Sequence, residues 1–213
     1  SAKAAEKHFD FSKDYVVINR LGTALFMRAQ KERDPARQAP FLLRAIDQYT
    51  RTLQLDKENV DAHYGLVQCY KQIGLARDEV EVTGAIRTDE KSLFDLGATL
   101  HDVKQSHAVR LAAADQLAAD LGKLAEEPEK PNEPKRFRFE PLIRDLSPVF
   151  QREEDAQLRA ALAQVLAQAH LVAHEVFKVD ENAVARTTSL YRQNHPAANH
   201  AAEAIVIYPT NRR

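Results

Sequence analysis

The sequence predicts an all-α protein built from antiparallel helix pairs, and three observations carry that prediction. Only six glycines occur in 213 residues, which disfavours strand-and-turn folds and Gly-rich phosphate loops alike. Alanine and leucine, both strong helix formers, recur in amphipathic runs from Lys13 almost to Arg192. The stretch from Phe41 to Lys71 carries the spacing of a helix, a short polar turn and a second helix.

In that stretch Ala45, Tyr49 and Thr52 fall three and four residues apart, so they share one helical face, and small Ala45 lets a neighbouring helix approach closely. Leu53, Leu55 and Asp56 lead into the turn, and a second helix is expected to begin near Val60. The segment AIDQYTRTLQLDKENVDAHYGLVQCYKQIG resembles the tetratricopeptide repeat family, whose unit is a helix–turn–helix of roughly 34 residues. Ala45 and Tyr49 match the small and aromatic positions of one unit's second helix, and Leu66, Tyr70 and Gly74 match the first helix of the next. Lys57 stands where the family usually has proline.

Two further units flank this one. Leu21, Gly22 and Leu25 fit an upstream first helix, with Lys31 to Pro40 as a connection longer than the family norm. Leu93, Leu96, Gly97 and Leu100 fit a downstream first helix, with Ala108 to Leu124 as its partner. The resemblance thus implies an α-solenoid of about three units over residues 13 to 124, whose first helices line a peptide-binding groove. By alignment the groove residues are Asn19, Thr23 and Phe26, then Asp61, Tyr64, Gln68 and Lys71, then Lys91, Phe94, Ala98 and His101. The alternative occupant of that groove is the chain's own C-terminal helix. Thr23, Gly65 and Asp95 stand where Asn, Asn and Arg would hold a chaperone's C-terminal carboxylate, so that specialised role is disfavoured.

The expected organisation is tetratricopeptide-like repeats over residues 1–125, a Pro-rich linker or strap over 126–150, and a helical extension over 151–213. Pro128, Pro131, Pro134, Pro141 and Pro148 are read as interrupting any helix. Phe137, Arg138, Phe139 and Glu140 alternate like a short strand, and Ala204 to Tyr208 form a β-prone run that could pair with them. Between these segments, Glu153 to Phe177 reads as one long helix capping the repeat stack, and further short helices are expected over Glu181 to Tyr191 and after Pro196. The closing HPAANHAAEAIVIYP is similar to the tails of some tetratricopeptide proteins associated with multihaem cytochromes. That similarity implies an extracytoplasmic, periplasmic setting, with any haem region outside this chain because no Cys-x-x-Cys-His occurs.

His170 and His174 lie one helical turn apart, a spacing that suits a metal or haem ligand pair, and His195 and His200 bracket a possible helix start. Packing or surface roles are the preferred reading of all four; convergence in space would be needed to make them a metal site. His101, His107, Asp102, Asp115 and Ser106 are chemically able to form an acid–base or nucleophilic set, yet no nucleophile elbow or oxyanion glycine accompanies them. Lys135, Arg136, Arg138 and Arg144 interleave with Phe137 and Phe139 in a pattern that superficially suits single-stranded nucleic acid, but Glu126, Glu127, Glu129, Glu133 and Glu140 offset the charge.

Composition sets the remaining bounds. A formal net charge of −1 offers no global field for nucleic acid or anionic membrane, and the single cysteine, Cys69, excludes an internal disulfide. Ser1 to Asp10 lacks a signal-peptide core, no apolar run approaches membrane-helix length, and a start without Met leaves upstream domains of the same protein open. The expectation is a non-enzymatic protein-interaction or scaffolding module, needing no cofactor and binding a protein or peptide. The alternative is an accessory region of a larger metal- or haem-containing redox protein.

Overall fold

The computed structural model describes residues 13–75, 92–128 and 134–178. The chain divides into two compact units, Ser1–Phe177 and Lys178–Arg213, and the described helices belong to the first. They are α1 (Tyr15–Gln30), α2 (Pro35–Leu55), α3 (Val60–Gly74), α4 (Leu93–His101), α5 (His107–Glu126), α6 (Arg136–Arg152) and α7 (Ala156–Phe177), with no strand among the described residues. The all-α expectation therefore holds there. Ala204 to Tyr208, the helices expected after Asp180, and Lys91, His195 and His200 lie outside them.

Local chemistry sets the boundaries. Asp14, Asp34, Asn59, Ser92 and Ser106 each accept a hydrogen bond from a first-turn amide and so satisfy donors the helix leaves open. At Ser92 the Asp95 carboxylate reaches back to the cap amide, completing a capping box. The connection expected over Lys31 to Pro40 is shorter than the sequence reading: Asp34 caps α2, Pro35 occupies its first turn, and Pro40 lies inside the helix.

The first three helices run alternately up and down. Gln38 donates to the Ala29 carbonyl (3.3 Å) and Tyr49 to Thr23 Oγ1 (3.2 Å), so α2 is antiparallel to α1; Gln72 donates to Gln38 Oε1 (3.3 Å), and Tyr49 also meets Gly65, so α3 is antiparallel to α2. Ala45, Tyr49 and Thr52 are all buried, as their shared face predicts. The Tyr49 ring lies between the backbones of Gly22 on α1 and Gly65 on α3, and a β-carbon added at either glycine would press into it.

The next neighbour of α3 is α7, not α4. His63 meets His170 near one end, while Gln164 donates to the Gly74 carbonyl (3.3 Å) at the other, so α7 runs antiparallel to α3. α5 and α6 cover the remaining sides of α7, and α4 packs on α5 and α6. This arrangement buries α7 on nearly all sides, from Leu158 through Leu162, Val165 and Leu166 to Val172, with Ala160, Ala161, Ala163, Ala167 and Ala169 keeping its neighbours close. The helix expected as an end cap is therefore central to the core, and the expected boundary near residue 150 falls inside the first unit.

The Pro-rich segment also departs from expectation, because much of it is α6. Phe139, Leu142, Leu146 and Phe150 form a buried stripe, whereas Phe137, Pro141, Arg144 and Pro148 fall on the opposite side. Each proline removes a bond to the carbonyl four residues earlier, those of Phe137 and Arg144, and both of these residues are exposed to water that can satisfy the freed group. The strand expected over Phe137 to Glu140 is thus the first turn of a helix whose apolar stripe contains Phe139 but not Phe137.

An ion pair ties the lower elements together: Arg110 of α5 donates to the Leu100 carbonyl (3.0 Å) and to Glu153 (2.7 Å) just before α7, with both side chains nearly enclosed. Buried Lys135 donates to the Ala125 and Glu127 carbonyls at the end of α5. The glycines give the sharpest test of the packing. Gly65→Ala should destabilise the chain by about 1–3 kcal/mol through overpacking against Tyr49. Gly122→Ala, with nothing near its added methyl, should stabilise it by up to about 1 kcal/mol through helix propensity. Urea unfolding of both variants reads the opposite signs.

Candidate functional site

Two groups of side chains stand out around α3, one outward and one buried. On the outward face, Asp61, Tyr64, Gln68 and Lys71 repeat at spacings of three, four and three; Asp61, Tyr64 and Lys71 are exposed and Gln68 is half-buried. The rest of α3 faces its neighbours, with Ala62, His63, Gly65, Leu66, Cys69 and Tyr70 buried. α1 lies beside α3 and contributes exposed Thr23 and half-buried Asn19 and Phe26. The Thr23 hydroxyl donates to the Asn19 carbonyl (3.2 Å) and accepts from Tyr49, while Asn19 Oδ1 is buried without a hydrogen-bond partner.

Of the remaining expected groove residues, Phe94, Ala98 and His101 are exposed on α4. α4 packs on α5 and α6, so these three belong to a different helix neighbourhood from the row on α3. α7 borders the α3 row without covering it: the His174 ring lies 5.4 Å from that of Tyr64, yet Tyr64 keeps 50% of its surface exposed.

The buried group centres on His170. His170 and His174 share a side of α7, as their spacing predicts, and that side faces α3. There His170 Nδ1 lies 2.9 Å from His63 Nδ1, and His63 Nε2 lies 3.0 Å from the Lys57 carbonyl oxygen. A carbonyl only accepts, so His63 Nε2 carries the donated proton; in a neutral ring His63 Nδ1 is then the acceptor, and His170 Nδ1–H is the donor. Burial pushes the His170 imidazole well below histidine's ordinary range, with the nearby His63 adding to the shift, and burial also lowers His63, opposed by its bond to Lys57. Both rings are therefore neutral at pH 7.

Aromatic rings enclose the pair. Tyr70 stacks on His170 at 5.8 Å, Phe177 lies 5.6 Å from His63, and Phe150 meets Tyr70 edge-on at 5.2 Å. His63 was not singled out by sequence, although its spacing from Leu66 and Tyr70 places it on their apolar face. His174 contacts Glu175 on its own helix (3.1 Å). Among the described residues no three His, Cys, Asp or Glu side chains gather in metal-holding geometry.

The other candidates have local partners. Ser106 caps α5. His107 pairs with Asp155 at 3.1 Å rather than with Asp102 or Asp115, and the Asp102 carboxyl, held low chiefly by the Lys104 amide, closes the turn after α4. Burial pushes the Cys69 thiol up to about 12, leaving it a protonated core side chain. Phe139 is buried against Phe177 while Phe137 points outward under Arg136, so the two aromatics do not share a stacking surface. No helix among the described residues is long and apolar enough to cross a membrane.

The histidine bridge predicts non-additive mutations. His170→Leu at pH 7.5 strands the His63 acceptor and should cost about 1–3 kcal/mol beyond the lost packing. Adding His63→Leu removes the stranded group, so a double-mutant cycle by urea unfolding should show a coupling of about 0.5–3 kcal/mol; a value near zero would contradict the bridge.

Comparisons with protein-family models, with curated proteins and with solved structures gave no match to this chain.

Proposed function

We propose that this chain is a protein-interaction or scaffolding module that holds a peptide segment against the joint face of α1 and α3. The observation that carries the reading is the outward row Asp61, Tyr64, Gln68 and Lys71, left facing solvent while α3 is enclosed by α2 and α7. Tyr64 supplies an apolar anchor with a polar tip, and Phe26 on α1 a second. Asp61 and Lys71, three helical turns apart, place opposite charges at the two ends of the row and so favour one orientation of a bound segment.

The alternating order of α1, α2 and α3 and the tetratricopeptide-like residue pattern support the same reading. Tyr64, Asn19 and Lys71 carry no acid–base pairing, and the proposed mechanism is surface complementarity without catalysis or cofactor. Phe94 and His101 on α4 are left as a separate surface.

Peptides selected from a displayed random library on the purified chain test the proposal. Tyr64→Ala should weaken the selected peptides at least tenfold, and Lys71→Glu should weaken acidic-ended ones selectively, read by fluorescence anisotropy. Selected peptides whose affinity is untouched by both substitutions would place binding elsewhere and refute the assignment.

A further inference from the structure

The His63–His170 bridge has no role in the proposed peptide face, yet it joins α3 to α7 near the end of α7. The two Nδ1 atoms are 2.9 Å apart, close enough to share one proton and too close for two. His63 Nε2–H is committed to the Lys57 carbonyl. An added proton therefore has two places to go. On His63 Nδ1 it sets two N–H groups head-on and breaks the bridge. On His170 Nε2 it keeps the bridge but leaves a cation on a ring only 2% exposed, at a high desolvation cost.

The surroundings offer that cation little. From α3 the pair is faced by Tyr70, from the preceding turn by Asp56 and the Lys57 carbonyl, from α7 by Phe177 and by His174, whose ring meets Tyr64, and beyond Tyr70 by Phe150 and Ser147 of α6. Asp56 favours a charged His63, but it already accepts from Asn59 Nδ2 (3.0 Å) and the Glu58 amide (3.3 Å). His174 opposes that charge, and Glu175 is turned to the His174 side.

We propose that this bridge is an acid-released latch: protonation parts α7 from α3 over His170–Phe177, while α1, α2 and the first half of α7 stay packed. Beyond His170 the α3–α7 seam carries two ring contacts, Tyr64 on His174 and His63 on Phe177, and the segment's buried apolar side chains are Val172 and Ala173. Most of the buried apolar side chains that anchor α7, from Leu158 to Ala169, precede it. Opening the last two turns hydrates both imidazoles without disturbing that run. Tyr64 of the proposed peptide face borders this seam through His174, whereas the proton is taken up by His63 and His170 alone.

The direction follows from linkage. Once parted and hydrated, His63 and His170 titrate near the ordinary value of about 6.5, whereas in the closed pair burial holds them lower. The closed state is thus fully favoured above pH 6.5 and loses ground below it, by about tenfold per pH unit for each proton taken up, until the closed pair's own titration is reached. Hydrogen exchange of the full chain, corrected for intrinsic rates, should show protection across residues 170–177 falling about tenfold or more between pH 7.5 and 5.5. Residues 35–55 and 158–166 should keep theirs.

In the double variant His63→Gln, His170→Gln that fall should shrink below about threefold. Histidine ring-nitrogen NMR of the unsubstituted chain supplies a readout that does not require the variant to fold: His170 should be the Nδ1–H form, and its titration should track the loss of protection. Protection unchanged with pH, protection lost equally across α2, a fall that persists in the double variant, or rings that titrate while the seam stays closed would each overturn the latch.

Discussion

The packing of α7 along α3 is the interaction on which the rest of the unit depends. α1, α2 and α3 form one series of antiparallel neighbours, and α4, α5 and α6 are attached to it chiefly through α7. The seam joins residues distant in sequence, from His63 with His170 at one end to Gly74 with Gln164 at the other. Gly74 has no side chain to hold Gln164 off, and the alanines of α7 shorten the distance to its flanking helices. At the histidine end the seam relies on a hydrogen bond between neutral rings, which makes that end its chemically conditional part.

A second constraint sets the face that α1 and α3 present. The Tyr49 ring fills the space between Gly22 and Gly65, so the two parallel helices approach each other as closely as one aromatic ring allows. Its hydroxyl reaches Thr23, and Thr23 in turn bonds the Asn19 carbonyl, so the inner side of α1 is fixed to α2 through this chain. With Gly65 directed at Tyr49 and His63 at α7, the helical spacing leaves Asp61, Tyr64, Gln68 and Lys71 facing outward. The proposed binding row is thus a consequence of how the core side chains are used.

Much of this was legible in sequence wherever one helix's own periodicity decides it. The face Ala45, Tyr49 and Thr52 follows from spacings of three and four, the start of α3 near Val60 from the polar turn before it, and the row on α3 from alignment with the tetratricopeptide pattern. The capping pair Asp34 and Pro35 was readable too, but Pro40 drew the expected start of α2 away from it. In α6 the prolines read as breakers by residue type, yet at spacing seven Pro141 and Pro148 share the outward side, where a lost helical bond leaves a carbonyl open to water. Four alternating residues at Phe137 to Glu140 fit a strand and a helical turn equally well, and only the later Leu142, Leu146 and Phe150 separate the two. The histidine bridge was not legible because its partners are 107 residues apart, and helix spacing says nothing about which distant helix will arrive. For the same reason α7 read as a cap instead of a core helix.

The most direct test of the central role of α7 is thermal unfolding of a chain ended at Glu126, which keeps α1 to α5 and removes α6 and α7. The expected result is loss of the cooperative transition, with helical signal reduced beyond the share of the deleted residues, because α3 and α5 each lose a buried face. A cooperative transition at the full chain's midpoint would contradict this and show that the first five helices need no support from α7.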